Sequence, residues 1–433
     1  MKNKVILYGA SESIPFREVF LSMNSCFDIV GISDANEKKG QAYAEQLKAS
    51  YIAPNDICKY DYDNIYVTTR ENIFSSIYRD LVHRLKVPWN KILYYKEFYK
   101  ELHLSCGTLN PDKYIYVLRV HPVNAGIVTL LIRFVSQLID LPENYDVFID
   151  LQNYKNSYVF GDQLCRENAW EYWFEQPSGL TSDEVYKSKN VILCGCAEYF
   201  LPNKLLWEDK DYRSIYNNVY NKYMKINKRM LAELENDERR LDFDGSKTCA
   251  VIYRGTDYTL LKTYGHSIQP TVEQMIQKVH ELKKQWGFEY IYLSTEDAIA
   301  HEAFIQEFGD SVIYSKRELI KKYPLSSSKC FGMYNQSAVT NVTFNRPNDS
   351  YLKGMEYLRQ VIIASKCKYL ITGNNGGFWG TFMLSPDGFS NKYVFDLGIY
   401  GIDDDSYATE WGHYVLVKEE KEIERRRMNE NSM

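Results

Sequence analysis

The chain has 433 residues, of which 45% are hydrophobic and 25% charged, and carries a formal net charge of −5. The length predicts two or three domains rather than one core. The lack of a basic excess excludes the backbone neutralisation that nucleic-acid binding needs.

No stretch is long and apolar enough to span a bilayer, and no apolar signal region follows Met1. The expectation is a cytoplasmic protein without a transmembrane segment, with peripheral membrane association left open. Nine cysteines, odd in number and scattered, have no paired spacing and read as reduced, mostly buried thiols. Cys194-Gly195-Cys196 lacks zinc-site spacing, and no metal is expected. The 37 tyrosines offer flat apolar faces with a hydroxyl at the tip, which suit sugar rings.

In chain order, residues 1–105 alternate strands and helices. The strands are Val5 to Tyr8, Asp28 to Ile32, Asn64 to Thr68 and Lys91 to Tyr95. The helices are Phe16 to Met23, Gln41 to Leu47 and Asn72 to Leu85. This alternation predicts a parallel sheet with right-handed crossovers, and the block resembles a small Rossmann-like domain. Gly9-Ala10-Ser11 lies where a dinucleotide fingerprint would begin, but Ser11 and Ile14 stand where glycines should be. Asp34 holds the place of a ribose-binding acid. Nucleotide site and scaffold both remain open for this block.

His103 to Pro111 reads as a linker. The second block, 112–245, has strands Tyr114 to Leu118, Val147 to Asp150 and Val191 to Cys194. A turn, His121 to Gly126, leads into a buried apolar helix to Asp140. Trp170, Trp173 and Phe174 cluster, and one long helical pattern runs from Tyr212 to Glu235. The third block, 246–415, opens with strand Thr248 to Tyr253. It continues with helix Thr271 to Trp286, strand Tyr290 to Ser294 and helix Glu296 to Phe308. Strand Ser311 to Tyr314, helix Lys353 to Ser365 and strand Lys368 to Thr372 follow, and Gly373-Asn374-Asn375-Gly376-Gly377 turns into another helix. A charged tail, 416–433, reads as a solvated helix, and Asp403-Asp404-Asp405 as a solvated turn rather than a metal site.

The chemistry concentrates at Arg254-Gly255-Thr256-Asp257-Tyr258, at the carboxyl end of a strand. A guanidinium there can bind two phosphate oxygens with its planar fork. Gly255 lets the backbone approach a ligand closely, and Asp257 can hold the arginine's rotamer. Downstream come Gly265-His266-Ser267-Ile268 and then Ser294-Thr295-Glu296-Asp297 at the next strand end. The glycine-rich turn before the last helix supplies N–H groups suited to an anion.

This order resembles the GT-B fucosyltransferases of the α-1,6, α-1,2 and protein O-fucosyl type, which carry an arginine motif H-x-R-R-x-D or a close variant. The resemblance spans about residues 112–415, and R-G-T-D-Y looks like a bacterial branch of that superfamily. It implies an α/β fold in which a GT-B pair of Rossmann-like domains follows the N-terminal one. The first of the pair, 112–245, would serve the acceptor and the second, 246–415, the donor. It further implies inverting, metal-independent transfer of fucose or a related sugar from GDP-fucose or a similar nucleotide sugar to a glycan or glycoconjugate hydroxyl. No cofactor is required beyond that donor. Capsule, lipopolysaccharide or protein glycan assembly would suit such a bacterial enzyme.

The motif's first arginine falls on Arg254, its aspartate on Asp257, and the following His-Pro-Ile on His266-Ser267-Ile268. Arg254 would neutralise the leaving phosphate. His266, or Asp257, would act as general base. Tyr253, Gly255, Thr256, Thr295, Glu296, Glu356, Asn374, Asn375, Gly376 and Gly377 are expected around the donor. His121, Asn124 and Gly126 are expected to face donor or acceptor. The chain departs from the pattern at Ile252 (for histidine), Gly255 (for the second arginine), Gln360 (for a guanine-binding aspartate) and Lys262 (for the carboxylate suspected as base). Two other readings stand beside this one: an NAD(P)-dependent sugar-modifying enzyme using Gly9 to Asp34, and a non-catalytic sugar-binding scaffold.

Overall fold

The structure is a computed structural model. It describes residues 2–11, 14–120, 125–159, 161–195, 205–262, 266–321 and 342–400, without the side chains of residues 205, 257 and 261. His121, Asn124, Gly265, Asp403 to Asp405, the tail 416–433 and the Asp257 side chain therefore lie outside the described residues. The chain is mixed α/β and divides into two compact units, Met1–Val123 with Leu141–Glu198, and Asn124–Asp140 with Tyr199–Met433. The second unit thus takes in 124–140 and 199–245, which the linear reading groups with the middle block.

The first unit holds two sheets. β1 (Lys4–Tyr8), α1 (Phe16–Cys26), β2 (Asp28–Ser33), α2 (Glu37–Leu47), β3 (Asn64–Val67), α3 (Glu71–His83) and β4 (Ile92–Tyr94) come first in the chain. Their strands form a fully parallel sheet in the order β2-β1-β3-β4. Val5, Ile6 and Leu7 are wholly buried, as a strand covered on both faces requires. The second sheet uses β5 (Leu102–Leu104), β6 (Tyr114–Arg119), β7 (Tyr145–Asp150) and β8 (Val191–Leu193) in the order β5-β8-β6-β7, with the short helix α5 (Ser182–Val185) ahead of β8. Here the linker expectation needs correction. β5 runs antiparallel to β8, and Leu109 bridges Ser188, because the sheet edge takes up backbone groups that would otherwise face water.

One buried cation joins these layers. Arg119, at the end of β6, is fully buried, and Nε donates to the Cys194 carbonyl at 2.9 Å. Nη1 donates to Tyr154 Oη at 3.1 Å, and Nη2 to the carbonyls of Phe98 at 2.6 Å and Lys100 at 2.8 Å. Its guanidinium lies against both the Phe98 and Tyr154 rings, 4.9 and 5.4 Å from their centroids.

The second unit takes α4 (Ile127–Leu138) from the gap between β6 and β7. It continues with α6 (Leu205–Glu208), α7 (Lys210–Tyr223), α8 (Lys228–Leu241), β9 (Thr248–Ile252), α9 (Thr256–Leu261), α10 (Val272–Trp286), β10 (Tyr290–Ser294) and α11 (Ala298–Phe308). β11 (Val312–Ile313), α12 (Asp349–Ser365), β12 (Tyr369–Gly373), α13 (Gly376–Leu384) and β13 (Asn391–Phe395) complete it. The single helix expected from Tyr212 to Glu235 is two helices. Asn227 breaks it, since its side chain accepts the Met230 N–H at 2.9 Å and starts α8 as an N-cap. α10 begins with a Thr271/Gln274 capping box and ends at Gly287 in the left-handed region, φ 72.

The five strands are all parallel, in the order β11-β10-β9-β12-β13. The chain first steps outward from β9 to β10 and β11, then returns to the other side of β9 with β12. The strand order therefore reverses between β9 and β12, which is where open parallel sheets bind ligands beyond their carboxyl ends. α4 packs against α12 and α13. Its contact with α13 is close: a Cβ on Gly380 would stand 2.3 Å from Val128 Cγ1. Among the described residues, seven cysteines are free thiols, five of them buried, and no helix is long and apolar enough to cross a membrane.

Arg119→Met should lower the unfolding free energy by about 3 kcal/mol, because several buried acceptors lose their donors together. Urea denaturation followed by circular dichroism measures this, and an unchanged midpoint would remove Arg119 as the tie between the layers.

Candidate functional site

Three neighbouring strands end in register. Ile252 of β9 pairs with Ser294 of β10 on one side and with Thr372 of β12 on the other. Two residues further on, the three strands deliver Arg254, Glu296 and Asn374 to the same sheet edge. Arg254 Nη1 lies 3.4 Å from Glu296 Oε2, with the two side chains 16% and 4% exposed. Thr256 Oγ1 donates to the other Glu296 oxygen at 2.8 Å. One buried carboxylate thus orients both the arginine and the residue two positions after it.

The turn between them is tight. Thr256 sits at φ 43, where a β-branched residue is strained, and Glu296 holds it there. Gly255 has no room for a side chain, since a Cβ would stand 2.2 Å from Asp297 Oδ2. Asp297 is itself engaged. Its Oδ1 caps α11 by accepting the N–H groups of Ile299 at 2.8 Å and Ala300 at 3.3 Å. α9 begins directly after this turn, a helix the sequence pattern does not announce.

The Arg254 guanidinium lies over the Tyr258 ring, 5.4 Å from its centroid, and the His266 ring is 5.0 Å from Tyr258 on its own account. His266, Tyr258, Arg254 and Glu296 therefore form a contiguous row. The His266 segment is fixed by backbone bonds from Tyr400 N–H to His266 O and from Ile268 N–H to Gly398 O, both 2.9 Å. Gln269 ties it to the glycine-rich turn. Its Nε2 donates to the Asn374 carbonyl at 2.8 Å and its Oε1 accepts from Asn375 Nδ2 at 3.2 Å.

At that turn, Asn375 caps α13 by accepting the Phe378 N–H at 3.1 Å. Helix geometry leaves the N–H groups of Gly376 and Gly377 without an intrahelical acceptor, at the positive end of the helix. Tyr357 approaches from α12, with its hydroxyl 3.4 Å from where a Cβ on Gly377 would stand and 3.7 Å from that on Gly376. Burial, opposed by Arg254 and reinforced by Glu296, pushes the Tyr357 phenol up to about 12. It stays a neutral hydrogen-bond donor at ordinary pH. Thr129, just inside α4 and three residues after its N-cap Gly126, stands 3.3 Å from the same Gly376 position.

Other expected residues sit differently. Tyr253 packs in the hydrophobic core. The Thr295 hydroxyl accepts the Asp297 N–H at 3.1 Å. Glu356 is gripped by Arg346 through both oxygens, at 2.6 and 3.0 Å. Lys262 is exposed. Gln360 is buried and accepts from Arg317 Nη1 at 2.8 Å. Burial lowers the pKa of the Arg317 guanidinium from its ordinary value, opposed first by Glu296 and then by Glu356. Arg317, Tyr357 and Gln269 escape sequence reasoning. The available signal for Tyr357 is that positions 356, 357 and 360 share one side of α12.

The first unit has its own cleft, a cavity of about 370 Å³ lined by Gly9, Ala10, Asp34, Lys39, Thr69 and Asp80 among others. Gly9 turns at φ 95, with Thr69 Cγ2 2.6 Å from where its Cβ would be. Asp34 binds its own loops, accepting the Ala10 N–H through Oδ2 and the Asn36 N–H through Oδ1, both at 2.7 Å. Among the described residues, no group of three His, Cys, Asp or Glu side chains is placed to hold a metal ion.

No protein-family model matches the chain, and no curated protein matches it. Among solved structures, fucosyltransferase NodZ from Bradyrhizobium is similar at 11% identity and TM-score 0.37, over 67% of this chain and 97% of that one. NodZ α-1,6-fucosyltransferase soaked with GDP-fucose is similar at 12% identity and TM-score 0.37, over the same shares. POFUT1 in complex with GDP is similar at 10% identity and TM-score 0.31, over 93% of this chain and 99% of that one.

Gly255→Ala should destabilise the protein by about 1 to 2 kcal/mol, because the added methyl displaces Asp297 from the α11 cap. Chemical denaturation tests this, and a wild-type midpoint would mean that the turn tolerates a Cβ.

Proposed function

We propose that the chain is an inverting, metal-independent glycosyltransferase that moves fucose, or a closely related sugar, from a GDP-sugar to a hydroxyl of a glycan or glycoconjugate. The observation that carries this reading is Arg254, oriented by buried Glu296 at the carboxyl end of β9. It stands beside the strand whose end opens α13 at Gly376, on the switch point of the sheet. Such an edge offers a fixed guanidinium and a helix N-terminus to one anionic group.

In the proposed step, the acceptor oxygen attacks the anomeric carbon from the face opposite the nucleotide. The bond from that carbon to the phosphate oxygen breaks, and its electron pair leaves with GDP. Negative charge grows on the diphosphate as positive charge grows on the sugar ring. Arg254 and the N–H groups of Gly376 and Gly377 stabilise the departing charge, and they need no reorganisation to do so. The acceptor proton passes to His266, or to Asp257. Histidine has the better intrinsic pKa for that role, and the His266 ring lies 5.0 Å from that of Tyr258, the tyrosine that covers Arg254. The charge that a divalent cation would otherwise supply at the diphosphate comes from the arginine. The expected setting is the cytoplasm, with capsule, lipopolysaccharide or protein glycan as acceptor class.

Arg254→Ala should lower kcat by about 100- to 1,000-fold. It also strands the buried Glu296 carboxylate, so the thermal midpoint should fall. The double variant Arg254→Ala/Glu296→Gln should regain much of that midpoint and none of the transfer. Recovery of transfer in the double variant, or full activity in the single one, would remove Arg254 from the mechanism. Donor hydrolysis and transfer assays with GDP-fucose read these outcomes. His266→Ala should lower kcat far more than it raises KM for donor, and the reverse split would make His266 a binding residue.

A further inference from the structure

Arg317 follows β11 in a segment that is pinned on every side. Arg240 Nη2 donates to the Tyr314 carbonyl at 2.8 Å. The Ser315 hydroxyl bonds the Tyr292 hydroxyl, and Arg359 Nη2 donates to the Lys316 carbonyl. Arg317 Nη1 donates to Gln360 Oε1 at 2.8 Å, and that same oxygen accepts from Ser294 Oγ at 3.4 Å, at the end of β10. Beyond Arg317, the Ile320 N–H donates to the Glu296 carbonyl at 2.8 Å, and the Ala298 N–H returns a bond to Ile320 O at 3.2 Å. The segment thus runs along residues 296–298, beside the carboxylate that orients Arg254.

The chemistry of that placement is unbalanced. A guanidinium carries five N–H donors and a fixed positive charge. Among the described residues, Gln360 is the one hydrogen-bond acceptor of Arg317, and its Nε is sealed from solvent with none. The nearby carboxylates have other partners: Glu296 holds Arg254 and Thr256, and Glu356 is taken by Arg346 on both oxygens. A cation withdrawn from water with no ion pair among the described residues is costly. The ties from Arg240, Arg359, Tyr292 and Gln360 nevertheless hold it in place. An incoming anion resolves the imbalance.

We propose that Arg317 is a second anion-binding arginine of this site, taking one phosphate of a nucleoside diphosphate whose other phosphate is held by Arg254 and the α13 N-terminus. The inference rests on the reading that a nucleoside diphosphate binds at this sheet edge. Two planar forks in the segments that follow β9 and β11, with β10 between those strands, suit two linked phosphates better than a single carboxylate.

The test is titration calorimetry of the full chain with GDP, inorganic pyrophosphate and guanosine, together with thermal melting without ligand. Arg317→Met should weaken GDP and pyrophosphate by about ten- to a hundredfold, leave guanosine unchanged, and raise the ligand-free melting temperature, since an unpaired buried charge is removed. Gln360→Ala, which frees the guanidinium, should weaken GDP by a smaller factor. An Arg317→Met protein that melts lower than wild type or fails to fold marks Arg317 as a structural cation and overturns the proposal. So does wild-type affinity for GDP in a folded variant, and if Arg254→Ala then still loses binding, the reading of the site survives alone. A wild-type protein that binds neither GDP nor pyrophosphate defeats that reading, and this inference with it.

Discussion

The pairing of Arg254 with Glu296 is the constraint on which the site depends. Both residues lie two positions past a pair of β9 and β10 that are direct neighbours in the sheet, Ile252 and Ser294. The register of two parallel strands therefore sets where the guanidinium points. Burial makes the arrangement demanding, because a carboxylate only 4% exposed needs its partner. The same burial raises the local strength of any further charge interaction. Glu296 also holds Thr256 in a backbone conformation it would not choose, so the turn, the arginine and the start of α9 move as one piece.

Around that pair the second unit gathers groups with a common polarity. Tyr357 is held neutral, the N–H groups of Gly376 and Gly377 open a helix, and Arg317 is delivered by a segment fixed to α8 and α12. Gln269 joins the glycine-rich turn to the loop carrying His266, so the proposed base and the proposed anion-binding turn share one support. Polar side chains that are tied to backbone in this way keep their orientation before a ligand arrives, which is the condition for electrostatic stabilisation without reorganisation. The first unit is built on a different tie, the fully buried Arg119 that bonds the backbone of Phe98, Lys100 and Cys194.

Much of this was legible in the sequence where short-range signals decide the outcome. The apolar run from Thr248 to Tyr253, closed by Arg254, reads directly as a buried strand with a charged end. The same holds for Tyr290 to Ser294 before Glu296, and for Lys368 to Thr372 before the glycine-rich turn. Asn227 was missed because a cap inside a polar helical pattern looks like one more surface residue. His103 to Pro111 reads as a linker because a three-residue edge strand has no periodicity to display. Arg317 sits in Ser315-Lys316-Arg317-Glu318, which reads as a solvated charged turn. Its place is set by Arg240, Arg359 and Gln360, all more than 40 residues away in sequence. Glu356 shows the opposite case: the family resemblance suggests a donor contact, but Arg346 ten positions earlier takes both of its oxygens.

The most direct measurement is a crystal structure of the full chain soaked with GDP. The account predicts the diphosphate at the carboxyl edge of β9 and β12, with phosphate oxygens in hydrogen-bond contact with the Arg254 guanidinium and the N–H groups at the start of α13. A nucleotide bound instead in the cleft beside Gly9 and Asp34, with no phosphate contact at Arg254, would contradict it.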